Sequence, residues 1–144
     1  MKIVYTAGTW DCLHIGHINI LKRAKEIGDE LIVGVSTDSL VNEYKGHAPI
    51  MPFEERLEII ESLKFVDKAI KQSDRDKVKA LDLVQFDVWV IGDDWRDNEY
   101  YIDISNRFKE FGVSTVWLPY TKGISSTKLR KIDRAYDKYK DKNL

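Results

Sequence analysis

Hydrophobic positions along the chain follow two alternating signatures. Short continuous apolar runs, Ile3-Val4-Tyr5, Leu31-Ile32-Val33-Gly34-Val35 and Val88-Trp89-Val90-Ile91, are separated by stretches in which apolar residues recur three and four apart. A short continuous apolar run fits a strand buried on both faces of a parallel sheet, and the three-four spacing fits an amphipathic helix. The pattern therefore predicts a strand at 3–5 and a helix over 15–27, with Ile20, Leu21, Ala24 and Ile27 on one face and Gly28 as its stop. A strand at 31–35 follows, then a polar stretch, 36–52, containing Gly46, Pro49 and Pro52, which reads as a long loop. Pro52 opens a second helix with Phe53, Leu57, Ile60 and Leu63 on one face and Glu54 and Glu55 in its first turn.

A short strand at 66–70, a helix over 75–85 capped by Asp74, and a strand at 87–91 continue the alternation. The remainder predicts a helix over 102–111 closed by Gly112, a strand over 113–118 ended by Pro119, and a C-terminal helix from 125 carrying Leu129, Ile132 and Tyr136. Strands alternating with helices make a doubly wound, Rossmann-like α/β fold with a parallel five-stranded sheet. One domain spans 1–144, with its core over about 2–130 and a basic helix over about 125–142. In such sheets ligands bind beyond the carboxyl ends of the strands, where strand order reverses. Residues 8–17, 92–95 and 120–128 all follow strands, so all three are expected on that edge.

The chemistry at those places is anion chemistry. Gly8-Thr9-Trp10-Asp11-Cys12-Leu13-His14-Ile15-Gly16-His17 runs from a strand through a small-residue turn into a helix. Backbone N–H groups at a helix start lack intrahelical partners and carry the positive end of the dipole, which suits a phosphate. Gly8 and Gly16 have no Cβ to hinder a ligand, and His14 and His17 add imidazole donors. Two such histidines read blandly are caps or core residues; their place after a strand and a Gly-Thr turn favours a ligand. Cys12, His14 and His17 are too cramped in sequence for a tetrahedral zinc site and lack an obvious fourth ligand.

Gly123-Ile124-Ser125-Ser126-Thr127-Lys128 is a second helix start, with three hydroxyl residues and a lysine in the first turn. Alone it is ordinary serine capping; opposite the first motif it becomes the other jaw of a nucleotide triphosphate cradle.

Composition removes several alternatives. With 43% hydrophobic and 33% charged residues the chain is globular, and no apolar run approaches the ~20 residues that span a bilayer. A formal charge of −1 argues against a dedicated nucleic-acid binder, although residues 121–144 carry eight Lys or Arg against three Asp, a solvated helix face. The lone Cys12 forms no internal disulfide, so a soluble cytoplasmic protein is expected.

The two motifs and Gly92-Asp93-Asp94-Trp95 together make the chain resemble the nucleotidyltransferase superfamily with HxGH and ISSTK-type signatures. Within it, the chain is most similar to the glycerol-3-phosphate cytidylyltransferase-like family. The resemblance implies a magnesium-dependent reaction in which CTP and a small phosphomonoester, glycerol 3-phosphate first, give a CDP-alcohol and pyrophosphate, with the magnesium held through the CTP phosphates and the enzyme a homodimer.

It also implies roles. His14, His17, Lys45 and Lys128 would be catalytic; Gly8, Thr9, Trp10, Asp11, Gly16, Gly92, Asp94, Tyr120, Gly123, Ile124, Ser125, Ser126 and Thr127 would line the nucleotide site; Lys45, Lys64 and Lys77 would meet the acceptor. The chain departs from the family pattern at Lys64 and Tyr120, where arginine is common, and at Lys122, where an acidic or small residue is common. Lysine does not reproduce a planar bidentate guanidinium, and tyrosine carries no positive charge. Other readings of the same fold are a cytidylyltransferase for phosphocholine, phosphoethanolamine, or a phosphorylated amino acid or sugar, and an adenylyltransferase of the FAD synthase type. His14-Ile15-Gly16-His17 also spells the signature of class I aminoacyl-tRNA synthetases, whose tRNA-binding parts have no room in 144 residues.

Overall fold

A computed structural model describes residues 1–119. The 120–144 segment, and with it the expected second jaw and C-terminal helix, lies outside the described residues. Five strands, β1 (Ile3–Gly8), β2 (Glu30–Ser36), β3 (Lys68–Gln72), β4 (Val88–Gly92) and β5 (Ser114–Leu118), form one sheet in the order β3-β2-β1-β4-β5. All neighbours are parallel, with Val4 opposite both Leu31 and Val88. Strand order reverses between β1 and β4, which makes the end of β1 the switch point.

Among the described residues, four α-helices accompany the sheet: α1 (Ile15–Ile27), α2 (Asp38–Lys45), α3 (Phe53–Glu61) and α4 (Glu99–Glu110). Successive strand residues point to opposite faces. Val4, Val33, Val88 and Val90 pack with Leu21 and Ala24 of α1 and Ile60 of α3. Tyr5, Ile32 and Trp89 pack on the other side with Phe86 and with Ile104 and Phe108 of α4. No helix among the described residues is long and apolar enough to cross a membrane.

Several elements differ from the sequence reading. The 36–52 stretch contains α2, whose N-cap Thr37 accepts from the Leu40 N–H at 3.2 Å and which ends at Gly46 in the left-handed region. Only Leu40 and Val41 of that helix are buried, too few to leave a periodic signature. In place of a helix over 75–85 there is a 3-10 helix, Lys77–Asp82, capped by Asp76; Asp74 spends its carboxylate on the Asp76 N–H and on Lys79. β3 is displaced two residues from 66–70. Helix α4 starts at Glu99, not at 102, because the Asn98 side chain accepts from the N–H groups of Tyr100 and Tyr101.

The amino edge of the sheet is tied by aspartates. Asp29 accepts from the Lys2 N–H, Asp87 from the Ile3 N–H, and Asp67 from the Leu31 N–H and the Lys25 ammonium. Burial alone would raise the Asp67 carboxyl; its partners Lys25 and Leu31 outweigh it and hold the carboxyl below its ordinary value.

Gly34 in β2 is required by close packing: a Cβ there would overlap the hydroxyl of Tyr5, which crosses β2 to donate to Gln72 on β3. We expect Gly34→Ala to lose about 1–3 kcal/mol in urea unfolding, the usual cost of overpacking.

Candidate functional site

At the end of β1 the chain turns sharply into α1. Trp10 and Cys12 are both in the left-handed region, with φ of 55° and 51°, a conformation costly for residues with a Cβ. The cost is offset by anchoring. The Trp10 indole N–H donates to the Gly34 carbonyl at 2.9 Å, and the ring, 7% exposed, joins the core beside α1. Gly8 makes room for it, since a Cβ there would come within 3.0 Å of the indole.

Asp11, 2% exposed, accepts from the Ile50 and Met51 N–H groups at 2.8 and 3.0 Å and so pins the loop between α2 and α3 to the turn. Arg56 completes the lacing. Its side chain is wholly buried, and its guanidinium donates to the Met51 carbonyl at 2.9 Å, the Thr9 carbonyl at 2.6 Å and the Asp38 carboxylate at 2.7 Å. One planar group thus joins the β1 turn, α2 and α3.

The two histidines form the cap of α1. His14 Nδ1 accepts from the Gly16 N–H at 3.0 Å, and His17 Nδ1 accepts from the His14 N–H at 3.2 Å. Their rings stack with centroids 3.9 Å apart, and the Trp10 indole meets His17 edge-on at 5.5 Å. An imidazole nitrogen that accepts carries no proton, so each neutral ring carries its proton on Nε2. Burial lowers the His14 pKa; burial, the neighbouring His14 and Lys45 bring His17 down to about 4, against the pull of Asp11. Both rings are therefore neutral Nε2–H donors at pH 7. His14 Nε2 is buried and has no hydrogen-bond partner among the described residues.

The remaining expected residues divide by location. Thr9 shares a hydrogen bond with Tyr44 across 3.0 Å, and Lys45, the last residue of α2, is near enough to act on His17. Gly92 caps a short 3-10 helix, Asp93–Trp95, on the same carboxyl edge, and Asp94 there has its carboxyl raised by burial and by Asp93. Lys77 follows β3 on this edge but is buried, its ammonium lowered to about 8 by burial and by Arg75.

Lys64 is not brought to the site: it sits in the turn before β3, at the opposite, amino edge of the sheet. Tyr120, Gly123, Ile124, Ser125, Ser126, Thr127 and Lys128 lie outside the described residues. Sequence reading missed Arg56 and Tyr44. The signal for Arg56 was present, because it lies three residues after Phe53 and four before Ile60, on the stripe assigned to the core.

A parallel sheet with a turn, a helix start and paired neutral imidazole donors at its switch point defines a nucleotide-phosphate-handling α/β protein. Comparison with known proteins narrows this class. The model of the cytidylyltransferase-like family matches residues 5–132, and the chain belongs to that family. It is 40% identical over 133 residues to the glycerol-3-phosphate cytidylyltransferase of Bacillus subtilis strain 168, covering 91% of this chain and 96% of that protein. It is 38% identical over 135 residues to the enzyme of the same name from Staphylococcus aureus strain NCTC 8325, covering 91% and 94%. Among solved structures it resembles a lipopolysaccharide core biosynthesis protein from Thermoplasma volcanium, with a TM-score of 0.70 and 33% identity, over 86% of this chain and 99% of that one.

Proposed function

We propose that the protein transfers CMP from CTP to a small phosphomonoester, glycerol 3-phosphate foremost, giving a CDP-alcohol and pyrophosphate. The observation that carries this reading is the histidine cap of α1, two neutral donors at a helix start, taken with the names of the relatives. A phosphomonoester with a second pKa of about 6 is largely a dianion at neutral pH and needs no general base. One of its oxygens attacks the α-phosphorus of CTP, the bond from that phosphorus to the bridging oxygen breaks, and pyrophosphate leaves with the electron pair. The protein brings two anions together and stabilises charge moving onto the leaving group.

His14 and His17 do so through Nε2–H, the first turn of α1 through its N–H groups, and Lys45 through its ammonium. Gly8, Thr9 and Gly16 line the nucleotide side of the cradle, with Trp10 and Asp11 setting its shape, while Lys45 meets the acceptor and Lys77, buried behind the same edge, adds its charge. Residues 124–127 and Lys128 are assigned the opposite side of the triphosphate.

Magnesium held largely by substrate phosphates needs only one or two protein carboxylates, and Asp94, partly desolvated on the carboxyl edge, is suited to it. When bound, the ion would neutralise the triphosphate. The same reading makes the protein a cytoplasmic homodimer, which light scattering tests for assembly.

The deciding experiment is a pyrophosphate-release screen of the four nucleoside triphosphates against a panel of phosphomonoesters. CTP with glycerol 3-phosphate should lead; ATP with a phosphorylated cofactor precursor would instead make the protein an adenylyltransferase.

The pH profile gives a further check. With His17 brought down to about 4, its ring is neutral across pH 6–8, and His14, also lowered, adds no inflection at the ordinary value of 6.5. Activity should fall as pH drops below about 6, where the acceptor dianion takes up a proton. An acceptor with a more acidic second ionisation should move that limb to lower pH. A limb fixed at one pH for every acceptor would assign it to the protein.

A further inference from the structure

Arg75 follows β3 on the carboxyl edge and stands between two acidic residues, yet neither holds it. Asp74 pairs with Lys79 at 3.0 Å and Asp76 with Arg107 at 2.8 Å; among the described residues Arg75 has no ion-pair partner. It is surrounded by rings instead. Its guanidinium carbon lies 4.3 Å from the centroid of Tyr100 and 5.8 Å from that of Tyr44, and its charge reaches the hydroxyls of Tyr100 and Tyr101. Tyr100 and Tyr101 meet edge-on at 5.3 Å, and Tyr101 contacts Trp95 at 5.2 Å. Together these rings make an aromatic nest of the kind that accepts quaternary ammonium groups, already filled by the chain's own cation.

The nest has a direction relative to the proposed reaction centre. Lys45 Nζ and the Arg75 guanidinium each lie 5.8 Å from the centroid of the same Tyr44 ring. The Tyr44 hydroxyl is 3.0 Å from that of Thr9 in the β1 turn, and the field of Lys45 reaches His17. Tyr44 thus links the phosphate-handling end of this edge, Lys45 and His17, to Arg75.

We propose that Arg75 is a specificity-determining residue that selects acceptors with an uncharged hydroxylated tail against those with an ammonium tail. Hydroxyl oxygens accept from its N–H groups, whereas an ammonium finds the aromatic faces taken and meets like charge from Arg75, Lys45 and Lys77. The inference rests on the cytidylyltransferase reading, and it separates glycerol 3-phosphate from phosphocholine and phosphoethanolamine without any negative charge on the acceptor tail.

The test measures kcat/KM of the full chain with CTP for glycerol 3-phosphate, phosphocholine and phosphoethanolamine, in the wild type, R75Q and R75K. The wild type should prefer glycerol 3-phosphate by about 100-fold or more, because like charges at close quarters are strongly disfavoured. R75Q should narrow that ratio by about tenfold or more, through a higher KM for glycerol 3-phosphate and a lower KM for phosphocholine, while R75K keeps the preference. A merely structural bridge between α2 and α4 would move both acceptors together. An unchanged ratio in R75Q overturns the proposal, as does a wild type that uses phosphocholine equally well, for which no variant is needed. A wild type that releases pyrophosphate with no phosphomonoester overturns the transferase reading itself, and this proposal with it.

Discussion

Replacing His17 by alanine is expected to lower kcat by about 10²–10³-fold, the usual loss when a positioned donor is removed from a phosphoryl or acyl transition state. His17 has two tasks that one substitution would confound. Its Nδ1 caps the His14 N–H, and its Nε2–H faces away from that bond. Loss of the cap alone should cost about 1 kcal/mol of stability. His17→Asn separates the two, because an amide oxygen can replace Nδ1 as the acceptor while nothing replaces the donor at Nε2. His17→Asn should therefore unfold near the wild-type midpoint and still lose most of its turnover, and His17→Gln, which can place an amide donor near Nε2, should recover part of it. An alanine variant with the wild-type rate would reduce His17 to a packing residue.

The largest effect on stability is expected at Arg56. Arg56→Ala leaves the Thr9 and Met51 carbonyls and the Asp38 carboxylate without their donor, in a place where the guanidinium was wholly excluded from solvent. Breaking a buried charge pair by deleting one partner costs about 3–5 kcal/mol, a large share of the 5–15 kcal/mol that stabilises an ordinary domain. Arg56→Lys should recover only part of this loss, since an ammonium cannot copy a planar fork aimed at three acceptors on three elements. Asp38 is partly exposed, so Asp38→Asn should cost much less than Arg56→Ala. Urea unfolding measures all three variants. A loss below about 1 kcal/mol for the alanine variant would contradict the lacing role. Because Arg56 holds Thr9 and Met51, any folded Arg56→Lys should also show a raised KM for CTP.

Much of this architecture was legible in the order of residues. The apolar runs of β1, β2 and β4 and the apolar stripes of α1 and α3 have a single reading, because each buries a face repeatedly along its length. Elements that bury little were harder to place. β3 is an edge strand with Lys68 and Lys71 among its five residues, so the neighbouring Val66 drew the expected strand two residues too early. α2 buries only an adjacent pair, although its Thr37 cap, its Asp38 in the first turn and Gly46 after its end are local signals that were there to be used.

At the site, the histidine pair was found because it is local: four consecutive residues carry the whole cap. Arg56 and the Tyr44-Arg75-Tyr100 stack were not, because their meaning depends on partners 18 to 47 positions away, or on different elements. Lys64 shows the converse, a residue given an acceptor role only by its place in the family pattern, which the strand direction carries to the far edge of the sheet.

The aspartates that tie the amino edge have a consequence for how such a protein can change. Each one accepts a backbone N–H in or next to the start of a strand, so substituting it disturbs the sheet's alignment whatever the ligand. On the opposite rim, the segments after β2, β3 and β4 carry Tyr44, Arg75 and Tyr100, none of them part of a strand. New acceptor preferences can therefore arise by exchanging side chains on one rim, while the other is loosened only by strong acid: the Asp67 bonds, formed at neutral pH, are lost as pH falls through that carboxyl's lowered pKa.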